Sequence, residues 1–125
     1  MKIQESGENY LETILMLKKK NGSVRSIDIA NELQYTKASI SRAMSILKKG
    51  GYLIMEDGGN IVLTEKGLAK ATQIYERHEL ITEFLAEALG VDEEVAAKDA
   101  CRIEHIISEE SFSRIKKWVY DNKNP

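Results

Sequence analysis

The chain has 125 residues and a mass of 14.1 kDa, the size of one ordinary domain or of two small ones. Hydrophobic residues make up 42% and charged residues 30%, and no apolar run is long enough to span a bilayer, so the composition excludes a disordered tail and a membrane protein. The single cysteine, Cys101, cannot form an internal disulfide, and the N-terminus lacks a signal-peptide pattern. We therefore expect a reducing, cytoplasmic location.

The net charge of −2 is unevenly distributed along the chain. Residues 1–55 carry nine lysines and arginines against five acidic residues, a net charge of +4, whereas residues 56–125 carry nine against fifteen, a net charge of −6. A basic first half favours contact with nucleic acid, and an acidic second half indicates that this half has a different function.

The first half of the chain predicts three helices and a hairpin. Apolar residues recur at spacings of three and four in the helices, and the turn of the hairpin contains Asp57-Gly58-Gly59. The predicted helices cover residues 10–17, 26–33 and, after Thr36 as N-cap, 37–49, and the predicted strands cover 52–56 and 60–63.

This order of elements is that of a winged helix-turn-helix, in which the second helix of the pair enters the major groove of DNA. The exposed face of that helix combines small hydroxyl groups with two cations, which suit phosphates and base edges. The predicted DNA-contacting residues are Thr36, Lys37, Ser39, Ser41 and Arg42. The alternative is a solvated helix on a small α+β domain that does not bind DNA.

The second half predicts helices only. Thr64 caps a long pattern that stops at Gly90, a second helix covers residues 92–107, and Ser108 caps the last one. The last helix carries an apolar stripe that is either internal core or a dimer surface; it comprises Phe112, Ile115, Trp118 and Val119. The predicted fold is mainly α with a small β-hairpin.

Three potential metal ligands share one helix face. Cys101, Glu104 and His105 stand at positions i, i+3 and i+4, so their side chains project within one turn of each other. A thiol, a carboxylate and an imidazole suit transition ions such as Fe²⁺, Mn²⁺, Co²⁺ or Zn²⁺ better than Ca²⁺ or Mg²⁺.

Further candidate ligands lie on two other predicted helices. His78 is on the long central helix, and Asn9 and Glu12 are spaced i and i+3 on the first helix, so three helices could converge on one ion. Each candidate also has an ordinary alternative. A lone cysteine such as Cys101 is commonly a small buried hydrophobe, and a Glu-His pair is commonly part of a solvated face.

These residues resemble the diphtheria-toxin-repressor family of metal-dependent transcriptional regulators, and the short length resembles its two-domain manganese-transport-regulator branch. The resemblance extends from Tyr10 to Val119. The segments that carry it are Asn9–Ile14, Ile29–Leu33, Leu63–Gly67, Arg77–Leu80 and Cys101–His105.

The resemblance implies a homodimer with an N-terminal winged helix-turn-helix (1–71) and a C-terminal helical metal-binding and dimerisation domain (72–125). In the family the metal lies between these domains and favours an operator-binding arrangement. Glu12, His78, Glu104 and His105 match ligands of the manganese-type members, so the resemblance implies that they bind metal.

Other positions depart from the manganese type. Cys101 matches the iron-type members, and Asn9 matches neither type, so both Mn²⁺ and Fe²⁺ stay open, as does direct ligation by Asn9 and by the Cys101 sulfur. Thr82 and Ala97 replace ligands of an ancillary site in the iron-type members, so that site is expected to be absent.

The sequence therefore predicts a cytoplasmic, metal-activated repressor of divalent-metal homeostasis genes, whose homodimer binds a palindromic double-stranded DNA operator without membrane partners or enzymatic activity. One alternative is a winged-helix regulator that ignores metal and whose DNA binding survives chelation. Another is a small metallohydrolase in which a carboxylate beside the ion activates water, although the sequence offers it no separate oxyanion donor.

Overall fold

The computed structural model describes residues 5–123, which form six α-helices, a π-helical segment and an antiparallel hairpin. The chain divides between Thr72 and Gln73 into two compact units. The division of function between residues 1–71 and 72–125 stays a prediction. The elements are α1 (Glu5–Asn21), α2 (Ser26–Leu33), α3 (Lys37–Lys49), β1 (Leu53–Met55), β2 (Ile61–Leu63), α4 (Glu65–Glu83), the π-helical segment (Phe84–Ala88), α5 (Glu93–Ile103) and α6 (Glu109–Lys123).

The first unit contains the predicted helix-turn-helix. After α2 the chain reverses at Gln34, whose backbone is left-handed with φ 58° and ψ 42°. Thr36 then caps α3, because its Oγ1 accepts a hydrogen bond of 3.1 Å from the amide of Ser39. The cap and the α3 end at Lys49 agree with the sequence prediction.

Apolar side chains from every element of this unit form its core. The inward positions of α1, α2 and α3 follow the helical spacing seen in the sequence, and each strand contributes one buried residue. The side chains that are at most 1% exposed are Leu11, Ile14, Val24, Ile29, Ile40, Met44, Leu53, Ile61 and Ala71. This packing leaves the opposite face of α3 in solvent.

The hairpin, or wing, is tied to the segment that precedes α2. In the hairpin Leu53 pairs with Leu63 and Met55 with Ile61. The Ile61 amide donates to the Val24 carbonyl at 2.7 Å, and the Arg25 guanidinium donates to the carbonyl of Gly58 at the wing turn. Both contacts lie at the turn end of the wing, which is therefore held near its tip.

The start of α4 packs tightly against the chain that follows α3. The Thr64 amide donates to the Tyr52 carbonyl at 3.1 Å, and the Thr64 hydroxyl donates to the Gly51 carbonyl at 2.6 Å. Gly67 is buried beside the same Tyr52 carbonyl, and a Cβ added to Gly67 would lie 2.8 Å from the carbonyl carbon and closer still to the oxygen. This close approach requires glycine.

The second unit has a separate core formed by α4, the π-helical segment, α5 and α6. Phe112 and Val119 of α6 are buried there, and Trp118 stacks edge-on against Phe84 with ring centroids 5.5 Å apart. Ile115 packs against the same cluster. The apolar stripe of α6 is therefore internal core within this unit, which is one of the two alternatives that the sequence left open.

Helix boundaries differ from the prediction at α1, which extends beyond residues 10–17 at both ends, and at two places in the second half of the chain. The helix predicted up to Gly90 is α-helical only to Glu83 and continues from Phe84 with π-helical hydrogen bonding. The apolar pattern does not distinguish the two, because apolar side chains can face the core in either geometry. The helix predicted over residues 92–107 ends at Ile103, and the chain continues in a turn. No helix of the described residues has both the length and the apolarity needed to cross a membrane.

Candidate metal centre

The second unit brings three potential ligands together from α4 and from the end of α5. The His78 Nδ1 atom lies 3.0 Å from Glu104 Oε2 and 3.7 Å from Cys101 Sγ. All three ligand atoms lie within 4.8 Å of one another. Donors that bind one ion at about 2.0 to 2.3 Å are separated by about 3 to 4 Å, so a small adjustment would accommodate a transition ion.

Glu104 is the most deeply buried of these groups. Its side chain is fully shielded from solvent. The Oε1 atom lies 3.3 Å from His105 Nε2, but the geometry does not make a hydrogen bond, and Oε1 accepts none within the described residues. A buried carboxylate oxygen that accepts no hydrogen bond is costly unless a cation compensates it, so Glu104 supports an ion at this place.

The cluster favours positive charge at His78. Hydrogen bonding with the Cys101 thiol first, and with the Glu104 carboxylate second, raises the pKa of His78 to about 10 from its usual 6.5, although burial acts in the opposite direction. A proton at His78 supplies the charge that a metal ion would supply when bound. The donor set of nitrogen, sulfur and oxygen therefore fits a divalent transition ion.

We expect metal affinity to rise with pH because His78 must lose its proton to bind an ion through Nδ1. With the pKa of His78 near 10, the imidazole is protonated throughout the neutral range, and each bound ion displaces that proton. Mn²⁺ titrations at pH 6, 7 and 8 at constant ionic strength should show affinity rising at least about tenfold per pH unit, since the loss of the His78 proton alone accounts for that slope. A pH-independent affinity would contradict the role of His78.

The other predicted ligands are placed as follows. His105 immediately follows Glu104 in the turn after α5, and its side chain is 4% exposed. Asn9 and Glu12 lie one turn apart on α1 of the first unit, where Glu12 is buried and Asn9 is half-buried. Metal ligation by each of these residues stays a prediction.

The ordinary alternatives for the cluster do not match the observed burial. Cys101 is exposed rather than packed as a small hydrophobe, and Glu104 is buried rather than part of a solvated face. Glu104 and His105 follow the end of α5 instead of lying inside it, but Glu104 keeps a helical backbone with φ −58° and ψ −25°. The helical spacing therefore still places Cys101 and Glu104 on one side.

The predicted DNA-contacting residues lie together on the solvent side of α3 and at its N-cap. All five are exposed: Thr36, Lys37, Ser39, Ser41 and Arg42. Within the described part of the chain neither cation has a carboxylate partner, and the Thr36 hydroxyl donates to Ser39 Oγ at 2.9 Å. This face is accessible for phosphates and base edges.

Arg77 was not among the predicted site residues, although the structure places it against the candidate centre. Its guanidinium donates to the Glu104 carbonyl at 3.2 Å and to the Ile107 carbonyl at 3.5 Å. The only signal in the sequence was its position next to His78, since its partners at the centre itself are main-chain carbonyls that no side-chain pattern encodes.

Comparison with protein-family models matches both parts of the chain. Residues 2–60 match the "Iron dependent repressor, N-terminal DNA binding domain". Residues 64–123 match the "Iron dependent repressor, metal binding and dimerisation domain". The matched ranges agree with the predicted order of a DNA-binding part followed by a metal-binding and dimerisation part.

Similar proteins include an HTH-type transcriptional regulator of Methanocaldococcus jannaschii, 36% identical over 118 residues that cover 94% of each chain. The HTH-type transcriptional regulator MntR of Bacillus subtilis is 40% identical over 114 residues, which cover 91% of this chain and 80% of MntR. The solved structure of the manganese regulator SloR superposes with a TM-score of 0.79 at 23% identity. That match covers 96% of this chain and 55% of SloR, so this chain spans about half the length of SloR.

The two family matches together cover nearly the whole chain, and they agree with relatives that are more than a third identical over almost its full length. The chain belongs to the iron-dependent repressor family of DNA-binding transcriptional regulators.

Proposed function

We propose that this chain is a metal-activated transcriptional repressor that acts in the cytoplasm as a homodimer on a palindromic DNA operator. It acts by binding, without catalysis, and regulates genes of divalent-metal homeostasis. The observation that carries the proposal is the buried Glu104 carboxylate, which lies beside His78 and Cys101 with one oxygen that accepts no hydrogen bond. The family assignment supplies the DNA-binding and dimerisation parts.

The sensed ion is proposed to be Mn²⁺ or Fe²⁺. The family description names iron, and the structural neighbour SloR is described as a manganese regulator. His78 would contribute an imidazole nitrogen, Glu104 a carboxylate oxygen and Cys101 a thiolate sulfur, and the ion would supply the positive charge that these groups require. His105, Glu12 and Asn9 are proposed as further ligands on the strength of the resemblance.

The switch follows from linkage between metal binding and DNA binding. An ion that binds one arrangement of the chain more tightly than others shifts the population toward that arrangement. If that arrangement is the one that binds the operator, metal and DNA each raise the affinity for the other by the same factor. A dimer must place its two α3 helices about one DNA turn, roughly 34 Å, apart to enter successive major grooves, so a small change in geometry would alter DNA affinity.

A titration of the metal-free protein tests this function. Mn²⁺, Fe²⁺ under anaerobic conditions and Zn²⁺ are added while the fluorescence anisotropy of a labelled promoter fragment is followed at fixed salt. We expect DNA affinity to rise with Mn²⁺ or Fe²⁺ and to fall again with chelator. DNA binding that is indifferent to all three ions would favour a metal-independent winged-helix regulator.

The proposed roles of the two cations on α3 predict different effects of their removal. Arg42→Ala should weaken operator binding by about 1 to 3 kcal/mol and relax specificity at one base pair, because arginine can bind guanine through two hydrogen bonds. Lys37→Ala should weaken binding to operator and scrambled DNA equally and lower the slope of log affinity against log salt by about one. Anisotropy titrations at several salt concentrations on both DNAs separate these results, and identical profiles for the two variants would contradict the assignment.

A further inference from the structure

Arg77 connects α4 to the turn between α5 and α6. The Nη1 atom donates to the main-chain carbonyls of Glu104 and Ile107, at 3.2 and 3.5 Å, and Nη2 donates to the Glu109 carboxylate. The guanidinium also lies 5.2 Å from the centre of the Phe112 ring. The Arg77 side chain is only 16% exposed and its charge is compensated by Glu109, so it is not positioned as a free anion-binding group.

The amides of residues 104–107, in the turn that Arg77 contacts, donate to main-chain carbonyls of residues 100–103, so Arg77 adds its restraint on the carbonyl side of the turn. The last carbonyls of a helix lack helical partners, and a cation near a helix C-terminus satisfies them. Within the turn the Glu104 amide donates to Ala100 at 2.9 Å, whereas the His105 amide makes a longer bond of 3.4 Å to Arg102. The guanidinium binds the two carbonyls through Nη1 and the Glu109 carboxylate through Nη2 at the same time, and the single nitrogen of an ammonium group cannot reproduce this two-nitrogen arrangement.

Two neighbouring residues of α4 thus hold the two ends of Glu104. Arg77 binds its main-chain carbonyl, and His78 binds its carboxylate at 3.0 Å. The carbonyl contact restrains the backbone from which the side chains of Glu104 and His105 project. Ordering these groups before an ion arrives reduces the entropy that binding must overcome.

We propose that Arg77 is a positioning residue of the metal centre, which holds the main chain of Glu104 so that its carboxylate is directed toward His78 and Cys101. This inference rests on the proposed metal-binding function. Arg77 does not touch the ion in this role; it acts through Glu104. The competing explanation is that Arg77 only stabilises the second unit by packing on Phe112 and pairing with Glu109.

The experiment uses Co²⁺ as probe, because its visible absorption reports the number and type of ligands. Arg77→Met is compared with Val119→Ala, which shortens a fully buried core residue of the same unit on α6 and provides a loss of stability without removing a carbonyl contact. Arg77→Lys is measured in parallel, because it keeps the charge and tests the double carbonyl contact even if Arg77→Met does not fold.

We expect Arg77→Met to raise the Kd for Co²⁺ about 10- to 100-fold, the usual effect of removing an outer partner of a metal ligand, and to change the Co²⁺ spectrum. Arg77→Lys should give a smaller change in the same direction. In the metal-free protein, amide hydrogen exchange at residues 104–107 should be faster in both Arg77 variants than in Val119→Ala at matched stability.

Wild-type Kd and spectrum in the Arg77 variants, or equal weakening in Val119→Ala, would overturn the positioning role. Unchanged exchange at residues 104–107 would overturn it as well. If the wild-type chain binds no Co²⁺, both the metal centre and the positioning role of Arg77 are refuted. If the wild-type chain binds Co²⁺ but the Arg77 variants weaken that binding no more than Val119→Ala does, only the positioning role of Arg77 is refuted and the metal centre stands.

Discussion

Glu104→Gln is expected to lower Mn²⁺ affinity at least about a hundredfold, more than the loss of an outer partner, because it removes a charged donor from a buried position. The substitution keeps the shape of the side chain and removes its negative charge. The amide oxygen is a weaker, neutral ligand, and the amide NH₂ group is a hydrogen-bond donor whose partial positive charge repels the ion. Titration of the metal-free variant with Mn²⁺, followed by the electron paramagnetic resonance of the free ion, measures the effect.

The matched control for this prediction is Glu79→Gln. Glu79 is exposed and follows His78 on α4, so the variant makes the same change of charge near the centre without touching the donors. Its Mn²⁺ affinity should stay within about threefold of the wild type, since exposed charges are screened by solvent and salt. Equal affinity of Glu104→Gln and Glu79→Gln would remove Glu104 from the ligand set.

Gly67→Ala is expected to lower the free energy of unfolding by more than about 3 kcal/mol. The added methyl group would collide with the main-chain carbonyl of Tyr52, which is held by the Thr64 amide and cannot rotate away as a side chain could. The start of α4 would have to separate from the chain after α3, which breaks the hydrogen bonds of Thr64. Thermal unfolding followed by circular dichroism should show a fall in Tm of about 10 °C or more.

Gly51→Ala provides the comparison for Gly67→Ala. Gly51 has a φ of 83°, but a Cβ there would meet nothing within 4 Å, so only the left-handed backbone opposes the substitution. We expect a loss of about 1 to 2 kcal/mol for Gly51→Ala. If the two variants lose the same stability, the collision with Tyr52 does not determine the cost at Gly67.

Local patterns in the sequence predicted much of the fold. The positions of α2 and α3 follow from helical spacing and from the Thr36 cap, and the wing follows from a turn that contains two glycines. The family resemblance was confirmed by both domain matches. Spacing also predicted that Cys101 and Glu104 share a side, because helix geometry fixes that relation regardless of what packs nearby.

Spacing alone could not establish the features that depend on contacts distant in sequence. The proximity of His78 to Cys101, 23 residues later, depends on how α4 packs against α5, so spacing alone left His78 as one candidate among several. The requirement for glycine at Gly67 depends on a carbonyl that lies 15 residues earlier in the chain. Arg77 could not be distinguished from a solvated cation, because its partners near the centre are carbonyls whose positions exist only in the folded chain.

The left-handed turn between α2 and α3 also bears on how this protein can change over evolution. Gln34 is the one described residue other than glycine with a positive φ, and it is exposed. A side chain with a Cβ costs about 1 kcal/mol or more in this conformation, which glycine adopts without that cost. Selection for heat tolerance alone would therefore favour glycine at this position, and a lineage adapting to higher temperature could reach it without altering the core or the ligand cluster. A lineage that keeps glutamine there retains an exposed polar side chain in the turn before α3 and forgoes that gain in stability.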